Sequence, residues 1–245
     1  MNKLFRYILF LSLFVVSITQ AQSFGFGCLG LSGVYAGYSV QKYEPLGLNA
    51  YIKFISDPDD PNVDVFGEAS GYRFGANIFR AQFDRYFFSI KGFYQFLEEN
   101  HTVDILRVEL PASDEYKLRL DYWGIGIDFG VPLFHFLDWK IIDGGVTFSN
   151  FNFTSRLNIN SDNLAEIEYD QPKTYVGYYV ATGLVIHLVK DYLSLEGTAF
   201  YNQLRADHLE STDGLNQMPP KIFSENFIDS GGFNGLVQLN IGVPL

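Results

Sequence analysis

The stretch Trp123–Ile142, WGIGIDFGVPLFHFLDWKII, decides how this chain is read. Its first half sets a bulky apolar residue at every second position: Trp123, Ile125, Ile127 and Phe129. Between them stand Gly124, Gly126, Asp128 and Gly130. Alternation with period two marks a β-strand with two unlike faces. In a water-soluble strand the bulky face meets a core and the other carries Lys, Glu, Thr or Ser. Here the second face is nearly all glycine, with one carboxylate.

The same alternation recurs in seven other runs. Val34, Ala36, Tyr38 and Val40 share a face, as do Tyr72, Phe74, Ala76 and Ile78. Phe88, Ile90, Gly92, Tyr94 and Phe96 form a third run, and Trp139 to Phe153 a fifth, with a change of phase near Ser149–Phe151 that predicts a bulge. The sixth runs from Thr174 to Leu188, the seventh from Leu193 to Tyr201, and the eighth from Phe233 to Val243. Most exceed the five or six residues of an ordinary strand and approach the 9–11 that a membrane-crossing strand needs. Their connections alternate. Short ones lie near 81–85, 131–138 and 190–191; long polar ones span about 44–67, 98–114, 158–172 and 207–231. Short turns at one end and long loops at the other are the layout of a membrane barrel. Leu48–Ile55 is a candidate for an extra short strand within the first long connection.

The expected fold is therefore all-β: a closed, antiparallel, up-and-down transmembrane barrel of eight strands. In hydrocarbon every backbone N–H and C=O must pair within the protein, and a closed barrel has no free edge. Its outer face is bulky because acyl chains wet it. Its inner face is small and polar because an eight-stranded bore is filled by side chains. Gly124, Gly126, Gly177 and Gly183 make room there. Arg73, Lys91, Asp128, His187, Ser194, Glu196, Gln238 and Asn240 are expected to form a polar network in the lumen. Tyr and Phe near strand ends fit interfacial girdles, and Tyr35, Tyr122 and Tyr179 are read as inward filler.

Composition agrees. Of 245 residues 47% are hydrophobic and 17% aromatic, an excess that suits strands and lipid–water interfaces. Residues 1–21 read as a signal peptide: Lys3 and Arg6, an apolar run from Tyr7 to Val16, then Thr19-Gln20-Ala21. Residues 22–245 form one barrel domain. The formal charge of −11 argues against nucleic acid as a partner. Cys28 is the single cysteine, so neither an internal disulfide nor a cysteine-based metal site is available.

With these features together, the chain resembles the small outer-membrane barrels of Gram-negative bacteria, the class of the OmpA transmembrane domain, OmpX and OmpW. The resemblance is architectural and covers nearly all of residues 22–245. It implies an outer-membrane location, contact with outer-membrane lipid and lipopolysaccharide, and handling by the barrel-insertion machinery. Members usually end in an aromatic residue; this chain ends Val243-Pro244-Leu245. Some barrels of the class modify lipid A with a His, a Ser and an acid. A tight turn at Lys190-Asp191 places His187 opposite Ser194, with Glu196 on the same face. A lumenal hydrogen-bond network accounts for that trio, and no catalytic residue is assigned. His101 and His208 fall in outer loops, His135 in a periplasmic turn.

Asp57, Asp59, Asp60 and Asp64 crowd the first long connection and are candidate metal ligands. The glycine of a calcium-binding EF-hand loop is missing, and two prolines fit an extended, solvated turn. Divalent cations are thus expected there chiefly as diffuse screening beside lipopolysaccharide phosphates. Nothing calls for a cofactor. The leading expectation is a non-enzymatic outer-membrane barrel with acidic outer loops and a structural or surface-interaction role. A narrow pore or small-hydrophobe conduit is the first alternative, a secreted soluble ligand-binding barrel the second.

Overall fold

The computed structural model describes residues 33–56, 65–83, 85–105, 112–159, 162–189 and 192–242. The strands in chain order are β1 (Gly33–Glu44), β2 (Glu68–Gln82), β3 (Phe87–Ile105), β4 (Ala112–Phe134), β5 (Leu137–Ile159), β6 (Asp162–Asp170), β7 (Tyr175–Val189), β8 (Leu193–Asn202), β9 (Leu209–Ser211), β10 (Gln217–Met218) and β11 (Ser230–Gly242). One helix, α1 (Leu46–Ile55), follows β1. No helix among the described residues is long and apolar enough to cross a membrane.

Eight strands close a ring in the order β1–β2–β3–β4–β5–β7–β8–β11, and β11 pairs back onto β1 from Gly33↔Gly242 to Glu44↔Ser230. All these pairings are antiparallel. Each of the eight alternating runs in the sequence is one strand of this closed transmembrane barrel. Its apolar faces turn away from the bore: Ile125 is 49% exposed, Ile127 51%, Val237 57% and Leu239 40%. A soluble barrel with an apolar cavity would have these residues inside, so that alternative falls.

On β4 the outward apolar residues run from Trp123 to Leu133, about ten residues, the length a tilted strand needs to cross the hydrocarbon. Aromatic rings bracket the band. Trp123 stacks on Phe148 at 4.0 Å at one edge, next to Tyr94, Phe96, Tyr72 and Tyr38. Phe79, Phe83, Tyr86, Phe88, Phe129, Phe134 and Phe136 gather at the other.

Three expectations are corrected. The long connections at 98–114 and 158–172 are largely strand: β3 runs on to Ile105, β4 starts at Ala112, and β6 occupies Asp162–Asp170. They read as polar loops because their outward residues are charged, yet Leu97, Val103, Tyr116, Leu118 and Leu120 keep the inward alternation going. Leu48–Ile55 adds no strand but belongs to α1, where Leu48 and Ile52, one turn apart, are fully buried. Ser56 ends the helix, its hydroxyl donating to Ile52 O at 2.6 Å. The bulge of β5 lies at Ile141–Ile142, not at Ser149–Phe151. At 149–151 the inward residues change from Thr147 and Ser149 to Phe151 and Phe153 with no slip in register, because the strand there leaves the membrane.

Above the aromatic edge the strands carry a folded crown. β5 exchanges β7 for β6 as its neighbour, and β6, β9 and β10 extend the sheet. Leu48, Ile52, Leu97, Leu118, Leu120, Phe153, Leu204, Leu209 and Phe227 form its dry core, with Phe151 and Tyr116 beside them.

Candidate functional site

The bore is the first place to look for chemistry. Near mid-depth it holds Lys91 from β3, Asp128 from β4, Lys140 and Asp143 from β5 and Glu196 from β8, all buried. Lys140 Nζ lies 3.1 Å from Asp128 Oδ2 and 2.5 Å from Glu196 Oε1. Lys91 pairs with Asp143 and sits 3.8 Å from Asp128. The remaining lone pairs are taken by neutral donors, as a buried ion cluster requires. Ser89 donates to Asp128. Thr198 Oγ1 donates to Glu196 at 2.9 Å, Gln238 Nε2 at 3.1 Å, and Asn240 Nδ2 at 3.2 Å. The Tyr179 hydroxyl donates to Asp143 at 2.9 Å.

A layer nearer the crown centres on Arg73. Its Nε donates to Gln95 Oε1 at 2.6 Å, and its guanidinium lies over Phe93 and Phe200 at 4.2 and 4.7 Å. Arg73, Lys91 and Lys140 balance Asp128, Asp143 and Glu196, so the charges of the bore sum to zero. At the opposite mouth Asp138 takes His187 Nε2 at 2.8 Å and Arg80 at 3.7 Å.

The glycines of β4 answer the opening pattern. A side chain at Gly124 would overlap the Phe93 ring, at Gly126 the Tyr179 hydroxyl, and at Gly130 the Phe87 ring. Bulk enters the bore from β3 and β7, and β4 gives way to it.

The eight residues expected in the lumen all face inward, on three levels. Lys91, Asp128, Ser194, Glu196, Gln238 and Asn240 meet in one network, Arg73 sits on the crown side, and His187 sits with Asp138 at the far mouth. β7 and β8 do pair His187 with Ser194. The His187 ring nevertheless bonds Asp138, while Ser194 accepts from Asn240 at 3.3 Å. Glu196 is engaged by Lys140. These bonds hold the three as a static network, without a serine–histidine hydrogen bond.

Lys140 and Asp143 escaped the sequence reading. In a regular strand residues three apart face opposite sides. The bulge at Ile141–Ile142 turns both inward. Two adjacent outward isoleucines are the only signal of it in the sequence.

Asp57, Asp59, Asp60 and Asp64 lie outside the described residues, as do residues 1–21 and Cys28. Among the described residues no group of three or more His, Cys, Asp or Glu side chains is placed to hold a metal ion.

In the crown, Glu99 ties three elements together. Its carboxylate accepts from the Tyr43 hydroxyl at 2.6 Å and from the backbone N–H of Gly67 and Glu68 at 3.1 and 2.9 Å. His101 Nε2 lies 2.8 Å away. His101 is therefore on β3 rather than in a loop. Burial, and then the charge of Glu99, push the Tyr43 phenol well above its ordinary range.

No protein-family model and no curated protein matches the chain by sequence. Solved structures similar in shape include three outer-membrane or surface proteins. The attachment invasion locus protein Ail of Yersinia pestis is 9% identical, with a TM-score of 0.39 over 86% of this chain and 95% of that one. Neisserial surface protein A is 11% identical, with a TM-score of 0.41 over 86% and 96%. The outer membrane protease OmpT of Escherichia coli is 10% identical, with a TM-score of 0.41 over 87% and 94%. Likeness at this level concerns general barrel architecture alone.

Proposed function

We propose that the chain is a non-enzymatic integral barrel of a Gram-negative outer membrane, delivered by a signal peptide at residues 1–21. It seals its own bore and holds a rigid crown on the outer side. One observation carries the reading: two closures stand in series along the axis. The first is the cluster of Lys91, Lys140, Asp128, Asp143 and Glu196, whose members pair with one another and whose charge is balanced by Arg73 in the next layer. The second is the dry plug of Leu97, Leu118, Leu120, Phe151 and Phe153 above it. An ion entering the bore would have to displace paired charges and then cross an apolar seal. The engagement of His187 by Asp138 and of Ser194 by Asn240 supports a structural role for that trio.

Planar-bilayer recording from the refolded chain tests this reading. No discrete conductance steps are expected. Regular steps in most insertions would replace the proposal with the narrow-pore reading. Fractionation tests the location: the chain should leave membranes only with detergent and should migrate differently on a gel before and after boiling. Release by a salt wash would defeat the membrane placement itself.

A further inference from the structure

Between the two closures of the bore lies a ring of polar side chains that neither closure uses. Gln41 comes from β1, Tyr122 from β4, Ser149 from β5, Asn202 from β8 and Asn234 from β11, and each is buried. The Tyr122 hydroxyl is the centre of the ring. It donates to Gln41 Oε1 at 2.7 Å, and Arg73, Asn202 and Gln95 stand around it. Ser149 is the cross-strand partner of Tyr122, and Asn234 that of Gln41. Directly opposed side chains on one face of a sheet start about 4.5–5.5 Å apart, so the five converge. Their hydrogen-bonding capacity is only partly used. Gln41 Nε2, Ser149 Oγ, Asn202 Nδ2 and both amide atoms of Asn234 are buried and meet no partner among the described residues. Gln41 engages Tyr122 through its carbonyl, and the Asn202 carbonyl accepts from Thr147 at 3.4 Å, which leaves the NH2 of each unused. Buried polar groups are almost always paired, and one left alone carries its full desolvation cost. Five such atoms on four strands, gathered round one hydroxyl, mark a place built for a polar occupant.

We propose that this ring encloses a fixed group of water molecules, held by Gln41, Ser149, Asn202 and Asn234 around Tyr122; the inference rests on the sealed-bore reading above. Water fits on three counts. It both donates and accepts, which three amide NH2 groups, a hydroxyl and an amide carbonyl require together. It is neutral, and the bore has no unmatched charge: Arg73, Lys91 and Lys140 already balance Asp128, Asp143 and Glu196. An anion beside Arg73 would leave a buried charge uncompensated. It is also small, and an internal water typically makes about three hydrogen bonds to groups of this kind. Arg73 gains from it as well, since its Nε bonds the neutral carbonyl of Gln95 rather than a carboxylate. The bore is then stratified, with paired charges on the side of the far mouth, an enclosed wet layer, and the dry plug of Leu97, Leu118, Leu120, Phe151 and Phe153 on the side of the crown. Water enters the account as an enclosed structural ligand, not as a continuous file.

The test is X-ray pulse radiolysis of the refolded full chain in nanodiscs, read by peptide mass spectrometry. Hydroxyl radicals form wherever water sits and oxidise the side chains that touch it. Tyr122 and Phe153 are rings 1% and 0% exposed, so bulk water reaches neither. Tyr122 should nevertheless be oxidised, as the exposed ring of Phe54 is, while Phe153 stays unmodified. Gln41→Leu with Asn234→Leu replaces a facing polar pair by an apolar one and should bring loss of the Tyr122 label in a chain that keeps its heat-dependent migration. An unmodified Tyr122 in the wild type overturns the proposal and needs no variant, so a folding failure cannot shelter the idea. A Tyr122 label that persists in the folded double variant also overturns it. Oxidation of Phe153 as strong as that of Tyr122 overturns the enclosure, because water would then run through the plug. Crystals grown with bromide separate water from an anion: an anomalous peak beside Arg73 would defeat the neutral occupant. The conductance recording remains a separate matter. A chain that passes no current and leaves Tyr122 unlabelled keeps the sealed bore and loses the enclosed water.

Discussion

Along β4 one face of one strand carries Trp123, Ile125, Ile127 and Phe129, and further along it Glu115, Lys117, Arg119 and Asp121. The opposite face carries Gly124, Gly126, Asp128 and Gly130, and further along it Tyr116, Leu118, Leu120 and Tyr122. The backbone pairing runs through the change without a slip. Only the solvent differs. In the barrel half, hydrocarbon bathes the outside and polar groups must find partners in the bore. In the crown half, water bathes the outside and the inside is an ordinary apolar core. Period two fixes which residues share a face, and the medium then decides which face is bulky.

The two halves should fail differently, and the interior of the barrel half should fail worst. Lys140→Met removes one cation from a fully buried set and leaves Asp128, Asp143 and Glu196 undercompensated. A loss of about 3–5 kcal/mol is expected, read as a shift of the urea midpoint for the folded gel band. Adding Glu196→Gln restores the balance of charge and should recover part of that loss. A double variant as weak as the sum of its parts would show that the cluster does not act as a unit.

The outer faces separate next. Ile125→Arg puts a charge into the lipid-facing band and should cost about 2–4 kcal/mol in a bilayer. Lys117→Ile, four rows away on the same face, should change stability by no more than about 0.5 kcal/mol. Equal costs for the two substitutions would mean that the band does not meet hydrocarbon, and the contrast between the halves would collapse.

Much of the barrel half was legible because its code is local. Alternation, glycine opposite bulk and the rhythm of connections name all eight ring strands. The crown was not legible, for a physical reason. Glu98 to Ile105 and Ala112 to Asp114 are strand, but polar residues stand outward at Glu98, Asn100 and Thr102 and inward at Glu99 and His101, so they look like polar loop. Leu48 and Ile52 carry too short a pattern to tell helix from strand until a core is known to lie beneath them. Within the bore, inward-facing charges could be read wherever the register is regular. Lys140 and Asp143 needed knowledge of a bulge, as did Arg80, which follows a bulge of β2 between Asn77 and Phe79, and Asp138 lay in a turn whose extent was overestimated.

The mildest and most local contrast concerns Tyr43. Its phenol is buried in the crown and donates to Glu99, so the neutral form is favoured in the fold and its pKa lies above the ordinary value near 10. A raised folded pKa gives stability that is complete below the unfolded pKa and fades as pH climbs toward the folded one. Crown stability should therefore fall above about pH 10, at a pH where the lipid-sheltered barrel still migrates as folded. Limited proteolysis between residues 203 and 229 follows the crown, and the gel shift follows the barrel. Tyr43→Phe removes the hydroxyl and should cost about 1.5–3 kcal/mol at neutral pH, since the bond is to a carboxylate. It should also flatten the alkaline rise in cleavage. An unchanged alkaline profile in Tyr43→Phe would assign the sensitivity to another phenol, with Tyr169 next in line because burial raises its pKa as well.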